Sequence, residues 1–244
     1  GNPYSLPANQ SATDVQAGLF HDWSAAARLY LTLARKSRLP TLKDRYSQRL
    51  GVYIENPTLR AEQSMNYEVG YQGHPWAAGK AELAVFFSDI TDKIQSVANV
   101  SGTRSQMQNV GKVRASGIEL GLSQALSTWL EVGGNYTFID LDNRSDAALR
   151  LTDVPRHKFL AHALIRPAAG WEVVAFAEHD SARWASNTVR LSGFTTLSLK
   201  AAYMLRKDIA LEAGVSNLAD RNYALADGFP SPGRSWFANA EYRF

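Results

Sequence analysis

Apolar side chains recur at every second position through most of this chain, and they do so up to its last residue. In Trp236-Phe237-Ala238-Asn239-Ala240-Glu241-Tyr242-Arg243-Phe244, the residues Trp236, Ala238, Ala240, Tyr242 and Phe244 share one parity; Phe237, Asn239, Glu241 and Arg243 share the other. A β-strand sends successive side chains to opposite faces, so such a run is wet on one side only. The same split sets Leu29, Leu31 and Leu33 against Arg28, Tyr30 and Thr32, and Leu197, Leu199, Ala201 and Tyr203 against Thr196, Ser198 and Lys200. It sets Leu130, Val132, Gly134, Tyr136 and Phe138 against Glu131, Gly133, Asn135 and Thr137. Period two identifies strands half covered by something apolar, without saying whether the cover is lipid or a protein core. Two runs depart from it: Leu160 and Leu164 share a parity with Lys158 and His162, and Val174 and Phe176 share one with Glu172 and Glu178.

The spacing predicts eleven strands, at roughly 13–21, 26–36, 63–73, 80–92, 104–124, 128–140, 156–166, 171–183, 193–204, 208–217 and 233–244. Short turns such as Asp22-Trp23-Ser24-Ala25, Pro167-Ala168-Ala169-Gly170 and Leu205-Arg206-Lys207 alternate with long polar connections at about 37–62, 93–103, 141–155, 184–192 and 218–232. That grammar matches the periplasmic turns and external loops of a transmembrane β-barrel. No Gly/Ser-rich or charged linker divides residues 1–244, so they read as one domain.

Composition narrows the alternatives. Apolar residues make up 45% of the chain, yet the longest unbroken apolar runs, such as Leu83-Ala84-Val85-Phe86-Phe87, are five residues long. A spanning helix needs roughly 20 apolar residues, whereas a tilted spanning strand needs about 9–11. Membrane insertion is therefore expected through strands. Ten Tyr, ten Phe and six Trp suit the aromatic girdles of a barrel. The absence of Cys excludes a disulfide scaffold and thiolate metal sites, and a net charge of +3 gives no case for nucleic acid. Gly1-Asn2-Pro3 begins no signal peptide, so the chain is expected to start after another segment, with residues 1–12 ending an external loop.

Three ordered motifs then carry a resemblance. Asn56-Pro57-Thr58-Leu59-Arg60-Ala61-Glu62 with Asn66-Tyr67-Glu68-Val69-Gly70-Tyr71, Asn109-Val110-Gly111-Lys112-Val113-Arg114-Ala115-Ser116-Gly117-Ile118-Glu119-Leu120, and Val215-Ser216-Asn217-Leu218-Ala219-Asp220-Arg221-Asn222-Tyr223 through Gly233-Arg234 resemble segments of TonB-dependent outer-membrane receptors. Ala61 replaces the usual Pro and Ala219 a frequent Phe. The resemblance implies an all-β fold: an antiparallel meander of about eleven strands, the C-terminal half of a 22-stranded barrel whose N-terminal plug is absent from these residues. It implies active uptake of a scarce bulky nutrient, such as a ferric siderophore, haem or cobalamin, across the outer membrane of a Gram-negative bacterium. The partners implied are outer-membrane lipid, the outer-membrane assembly machinery, the TonB energy-transducing complex through the N-terminal part, and a small-molecule ligand such as a metal chelate.

In connection 37–62, Arg38, Lys43, Arg45, Tyr46, Arg49 and Tyr53 combine cations with aromatics that could hold an anionic chelate. Trp236, Tyr242 and Phe244 resemble the C-terminal signal read by the assembly machinery, with edge-strand recognition as its physical logic. Catalysis has weak support: His157, His162 and His179-Asp180 could supply a base, but adjacent strand residues point to opposite faces and no Ser sits in a nucleophile elbow. Asp140-Leu141-Asp142-Asn143 lacks the spacing of a calcium loop. No catalytic residue, metal site or cofactor is expected. A passive porin-like channel and a soluble β-sandwich binding module are the competing readings; the first should lack the Asn56 to Tyr71 and Asn217 to Arg234 motifs, the second should bury its sheet faces, the Leu29, Leu31, Leu33, Leu197 and Leu199 set included.

Overall fold

A computed structural model describes residues 11–244; the expectation for residues 1–12 falls almost wholly outside them. The chain opens with the hairpin β1 (Val15–Ser24) and β2 (Ala27–Arg38). A connection carrying the one-turn helix α1 (Leu42–Tyr46) and the short β3 (Tyr53–Ile54) leads to the hairpin β4 (Glu62–Gly73) and β5 (Gly79–Thr91). A second loop hairpin, β6 (Ile94–Ser101) and β7 (Arg104–Asn109), precedes β8 (Val113–Ala125) and β9 (Leu130–Asn143). Then come β10 (His157–Ile165), β11 (Trp171–Asp180), the loop pair β12 (Arg183–Trp184) and β13 (Arg190–Leu191), and the hairpin β14 (Phe194–Arg206) and β15 (Ile209–Ser216). The chain closes with β16 (Ala224–Ala226), β17 (Phe229–Pro230) and β18 (Ser235–Tyr242).

Eleven strands form one antiparallel sheet in the order β1-β2-β4-β5-β8-β9-β10-β11-β14-β15-β18, so each strand pairs with its sequence neighbour in the sheet and β1 and β18 are its edges. The expected meander is present. One boundary differs: the run 104–124 is not a single strand. Residues 104–109 leave the large sheet to pair with β6, and Val113–Ala125 pairs with β5 and β9. The break falls at Gly111, whose φ of 87° suits glycine. A Cβ there would also lie 2.5 Å from the Ser145 hydroxyl. The alternating pattern runs through the break because both pieces are strands, and periodicity alone does not show that they belong to different sheets.

Register assigns the faces. Directly opposed residues share a face, so the pairings Leu29↔Tyr71, Tyr71↔Leu83, Leu83↔Leu120, Leu120↔Tyr136 and Tyr136↔Phe159 trace one continuous apolar line across six strands. Val132↔Ala163, Ala163↔Ala175, Ala175↔Leu199 and Leu199↔Val215 trace another. Among the described residues most of this face is uncovered: Leu31, Val69, Val85, Leu197 and Leu199 are all more than 40% exposed, while Val215 near its loop end is buried. A soluble sheet would bury such residues, and a face of this size is explained by lipid.

The opposite face is polar and largely self-neutralised. Arg28 meets Asp22 at 2.6 Å, Lys158 meets Glu178 at 2.7 Å, and Lys200 meets Glu212 at 2.9 Å. Aromatic side chains on this face lie against glycines on the paired strand, Tyr30 over Gly70, Phe86 over Gly117, His162 over Gly133 and Phe237 over Gly214. A Cβ at Gly70 would come within 2.4 Å of the Tyr30 ring. These rings therefore lie along the wall rather than projecting into the lumen. The apolar residues that broke the alternation are on this inner face; Leu164 and Val174 are opposed to one another there.

The buried core is small and, Ala84 in the middle of β5 aside, sits at the loop end of the sheet. Leu59, Ile94, Val110, Val113 and Ala115 are less than 9% exposed, and they lie where β3, β7 and β6 form a separate three-stranded sheet. The long connections are thus packed structures in their own right.

Candidate ligand site at the loop end

The motifs first recognised in the sequence act as braces for these connections. Glu62, only 9% exposed, accepts the Ile94 amide at 2.9 Å and the Lys93 ammonium at 3.3 Å, with Arg38 at 3.7 Å. Asn109 accepts the Arg60 amide at 2.9 Å and donates to the Arg60 and Asp92 carbonyls at 3.1 and 2.8 Å. Asn217, at φ 51°, donates to the Arg221 and Pro232 carbonyls, and Asp220 accepts the Arg234 amide at 2.7 Å. Short amide and carboxylate side chains suit these positions because they reach backbone groups that loops leave unpaired.

Further hydrogen bonds join three connections into one unit. Gln95 donates to the Arg150 carbonyl at 2.8 Å and accepts the Thr152 amide at 3.3 Å. The Arg150 amide donates to Asn187 at 2.7 Å, and the Asp153 amide to the Trp184 carbonyl at 2.8 Å. Connection 144–156 is thereby held between the β6–β7 hairpin and the β12–β13 pair.

Two adjoining cavities open around that unit, sharing Ile139, Leu141, Leu151 and Val154 as a common wall. One, of about 490 Å³, is mostly apolar, with Ile90, Ile94, Met107 and Val113 beside Arg49, Tyr53 and Lys93. The other, of about 420 Å³, carries Arg150, Arg156, Arg183, Arg190 and Trp184. Ile139 and Leu141 lie on the polar, inward face by register, since they oppose Gly117 and Ala115. The first cavity therefore adjoins the inner side of the sheet, whereas the second, which also takes in Asp140 and Asp142 of the opposite parity, sits at its rim. Apolar walls with a few placed cations are the usual make-up of a small-molecule site.

Of the six residues expected to hold ligand, Arg49 and Tyr53 line the first cavity, with the Arg49 guanidinium 4.2 Å from the Tyr53 ring centre. Tyr53 is fixed by a 2.7 Å hydrogen bond to Ser96. Arg38 is engaged by Asp44 at 3.1 Å. Arg45 is buried and donates to the Leu59 carbonyl at 3.2 Å. Lys43 is exposed on α1 and Tyr46 is half-buried. The sequence reading did not single out Arg150, Trp184 and Arg190. Cations beside an aromatic in connection 184–192 were the available signal, but Arg150 joins them only through folding.

His157 is paired with the Tyr136 hydroxyl at 2.9 Å and His179 with the Thr195 hydroxyl at 2.8 Å. Among the described residues no cluster of His, Asp or Glu could hold a metal ion.

An open antiparallel sheet with a bare apolar face, a self-neutralised polar face and packed loops at one end defines a wall of a transmembrane β-barrel. The chain belongs to the TonB dependent receptor-like, beta-barrel family, whose model matches residues 4–218. It is 26% identical over 218 residues to the vitamin B12 transporter BtuB of Photobacterium profundum, a match covering 85% of this chain and 34% of the relative. It is 28% identical over 127 residues to the metal-pseudopaline receptor CntO of Pseudomonas aeruginosa, covering 48% of this chain and 18% of that one. Among solved structures, the copper transporter OprC superposes with a TM-score of 0.79 at 22% identity, covering 94% of this chain and 39% of OprC. The ferric enterobactin receptor PfeA of Pseudomonas aeruginosa gives 0.73 at 20% identity, covering 95% and 40%. The chain thus spans about a third of the length of the BtuB relatives it matches.

Proposed function

We propose that this chain is part of a receptor that captures a scarce, bulky nutrient at the cell surface and takes it actively across the outer membrane of a Gram-negative bacterium. The observation that carries this reading is the pair of cavities at the loop end, built by braced connections on a family barrel wall. Fixed cations and aromatics preorganise a site so that binding costs little ordering entropy, which suits capture of dilute ligand. A passive channel has no use for such a site. In this reading the ligand is a metal chelate, haem or cobalamin; the relatives' own names give vitamin B12 and metal-pseudopaline for those proteins. Release inward depends on the TonB energy-transducing complex, engaged by N-terminal sequence outside these residues.

The test is uptake by the full-length receptor in a receptor-deficient strain. Accumulation of a labelled ferric chelate, haem or cobalamin is expected to be saturable and to stop when a protonophore collapses the inner-membrane gradient. Unsaturable, protonophore-insensitive entry would instead establish the porin-like reading.

The same reading assigns Trp236, Tyr242 and Phe244 to recognition by the assembly machinery. Trp236 and Tyr242 project from the apolar face of the edge strand β18, and Phe244 follows it fully exposed. Deleting Phe244 is expected to lower the amount of receptor inserted in the outer membrane several-fold while leaving ligand affinity per folded molecule unchanged, as read by heat-modifiable mobility on gels and by binding to whole cells. Normal insertion without Phe244 would show that the residue is merely the last lipid-facing side chain.

A further inference from the structure

The 420 Å³ cavity holds four arginines, and they divide sharply by partner. Arg183 is buried and bound to the Asp180 carboxylate at 2.9 Å, and Arg156 is bound to Asp140 at 2.7 Å. Arg150 and Arg190 instead face the indole of Trp184, with guanidinium carbons 4.9 and 5.8 Å from its ring centre. Among the described residues no carboxylate lies within ion-pair distance of either. Two like charges gathered on one ring repel each other, and a cation–π contact with an indole offsets this only in part. Yet the backbone places them together: the Arg150 amide is tied to Asn187, Arg190 pairs with Trp184 between β12 and β13, and the Asp153 amide is tied to the Trp184 carbonyl. Loops held by their backbones so as to converge two uncompensated cations on an aromatic plane leave room for a compensating anion.

We propose that Arg150, Trp184 and Arg190 form a clamp for a planar anionic group, a catecholate or aromatic carboxylate carried on a metal chelate, and that the clamp makes the site select anionic chelates over neutral ones. The ring gathers the two guanidiniums at the cavity, and each offers forked N–H donors to the oxygens of a planar anion. The adjoining apolar cavity behind Ile139, Leu141, Leu151 and Val154 then takes the uncharged body of the ligand. The inference rests on the receptor reading and sharpens it to a ligand class.

The experiment compares two ferric chelates of like size on the full-length receptor in detergent: a trianionic synthetic hexadentate tris-catecholate and a neutral synthetic hexadentate tris-hydroxamate. The tris-catecholate is expected to bind at least about tenfold more tightly, each charge-assisted contact being of a size to change affinity by roughly that factor. In the doubly substituted receptor Arg150→Gln with Arg190→Gln, affinity for the tris-catecholate is expected to fall by about tenfold or more, with that for the neutral chelate unchanged. Trp184→Leu should weaken the tris-catecholate alone. Heat-modifiable mobility checks that each variant remains folded. Equal affinity for the two chelates, binding of neither, or indifference of tris-catecholate binding to the double substitution would overturn the clamp. Protonophore-sensitive uptake of the neutral chelate, haem or cobalamin would meanwhile leave the receptor reading standing, so the two failures are distinguishable.

Discussion

Replacing Leu199 by Arg is expected to abolish most membrane-inserted receptor. Leu199 lies opposite Ala175 and Val215 on the bare apolar face and is 42% exposed. A charge at the middle of the lipid-facing surface costs about 2–4 kcal/mol in a transmembrane barrel, a large share of the roughly 5–15 kcal/mol that holds a folded protein together. The control is Ala202→Arg, three positions along the same strand but on the inner face. Ala202 is opposed to Glu172 on one side and Glu212 on the other, so an arginine there gains carboxylate neighbours. Thr196 shares that face but is only 7% exposed, so a long side chain there would be crowded. Folding into lipid vesicles, followed by heat-modifiable mobility, should separate Leu199→Arg from Ala202→Arg. Similar folded yields for the two would refute the face assignment.

The second large effect is expected at Glu62. Its carboxylate is the single acceptor that meets the Ile94 amide, the Lys93 ammonium and Arg38 together. Ile94 is 4% exposed, so in Glu62→Ala its amide is left without that acceptor in a dry site, while Lys93 loses its counter-charge and Arg38 keeps only Asp44. Hydrogen bonds to charged groups contribute about 1.5–3 kcal/mol each. The loss should fall on the loop-end core of Leu59, Ile94 and Val113 rather than on the large sheet, whose hydrogen-bonded ladders it does not touch. Limited proteolysis of intact cells should therefore cut within 93–112 in Glu62→Ala, with insertion and heat-modifiability retained and ligand binding reduced. Unchanged protease resistance together with full binding would show that the carboxylate does not brace the loops. Glu62→Gln should lie between, since it keeps an acceptor for the Ile94 amide but not the charge.

These predictions differ in how far the sequence led to them. Leu199 was legible at once, because lipid on one side and lumen on the other impose a two-residue period that any alternating strand displays. Glu62 was legible only as part of a motif; why a carboxylate stands there emerged when the fold placed it beneath Ile94 and Lys93. Arg49 and Tyr53 were found by composition and do line a cavity, whereas Arg38 and Arg45 from the same connection have internal partners that no count of cations could reveal. Arg150, Trp184 and Arg190 were invisible as a group, since they come from two connections separated by the β10–β11 hairpin.

The sequence by itself therefore determined the eleven strands of the large sheet, the meander, the two faces and the family, all of which follow from local alternation, turn length and short contiguous motifs. Only the tertiary structure decided that residues 104–109 leave the large sheet, that the long connections carry the buried core, and that Arg150 and Arg190 converge on Trp184. The physical reason is that strand polarity is set residue by residue against a fixed environment, whereas a loop site is set by hydrogen bonds such as Gln95 to Arg150 and Arg150 to Asn187. Those bonds join segments whose separation along the chain carries no periodic signal.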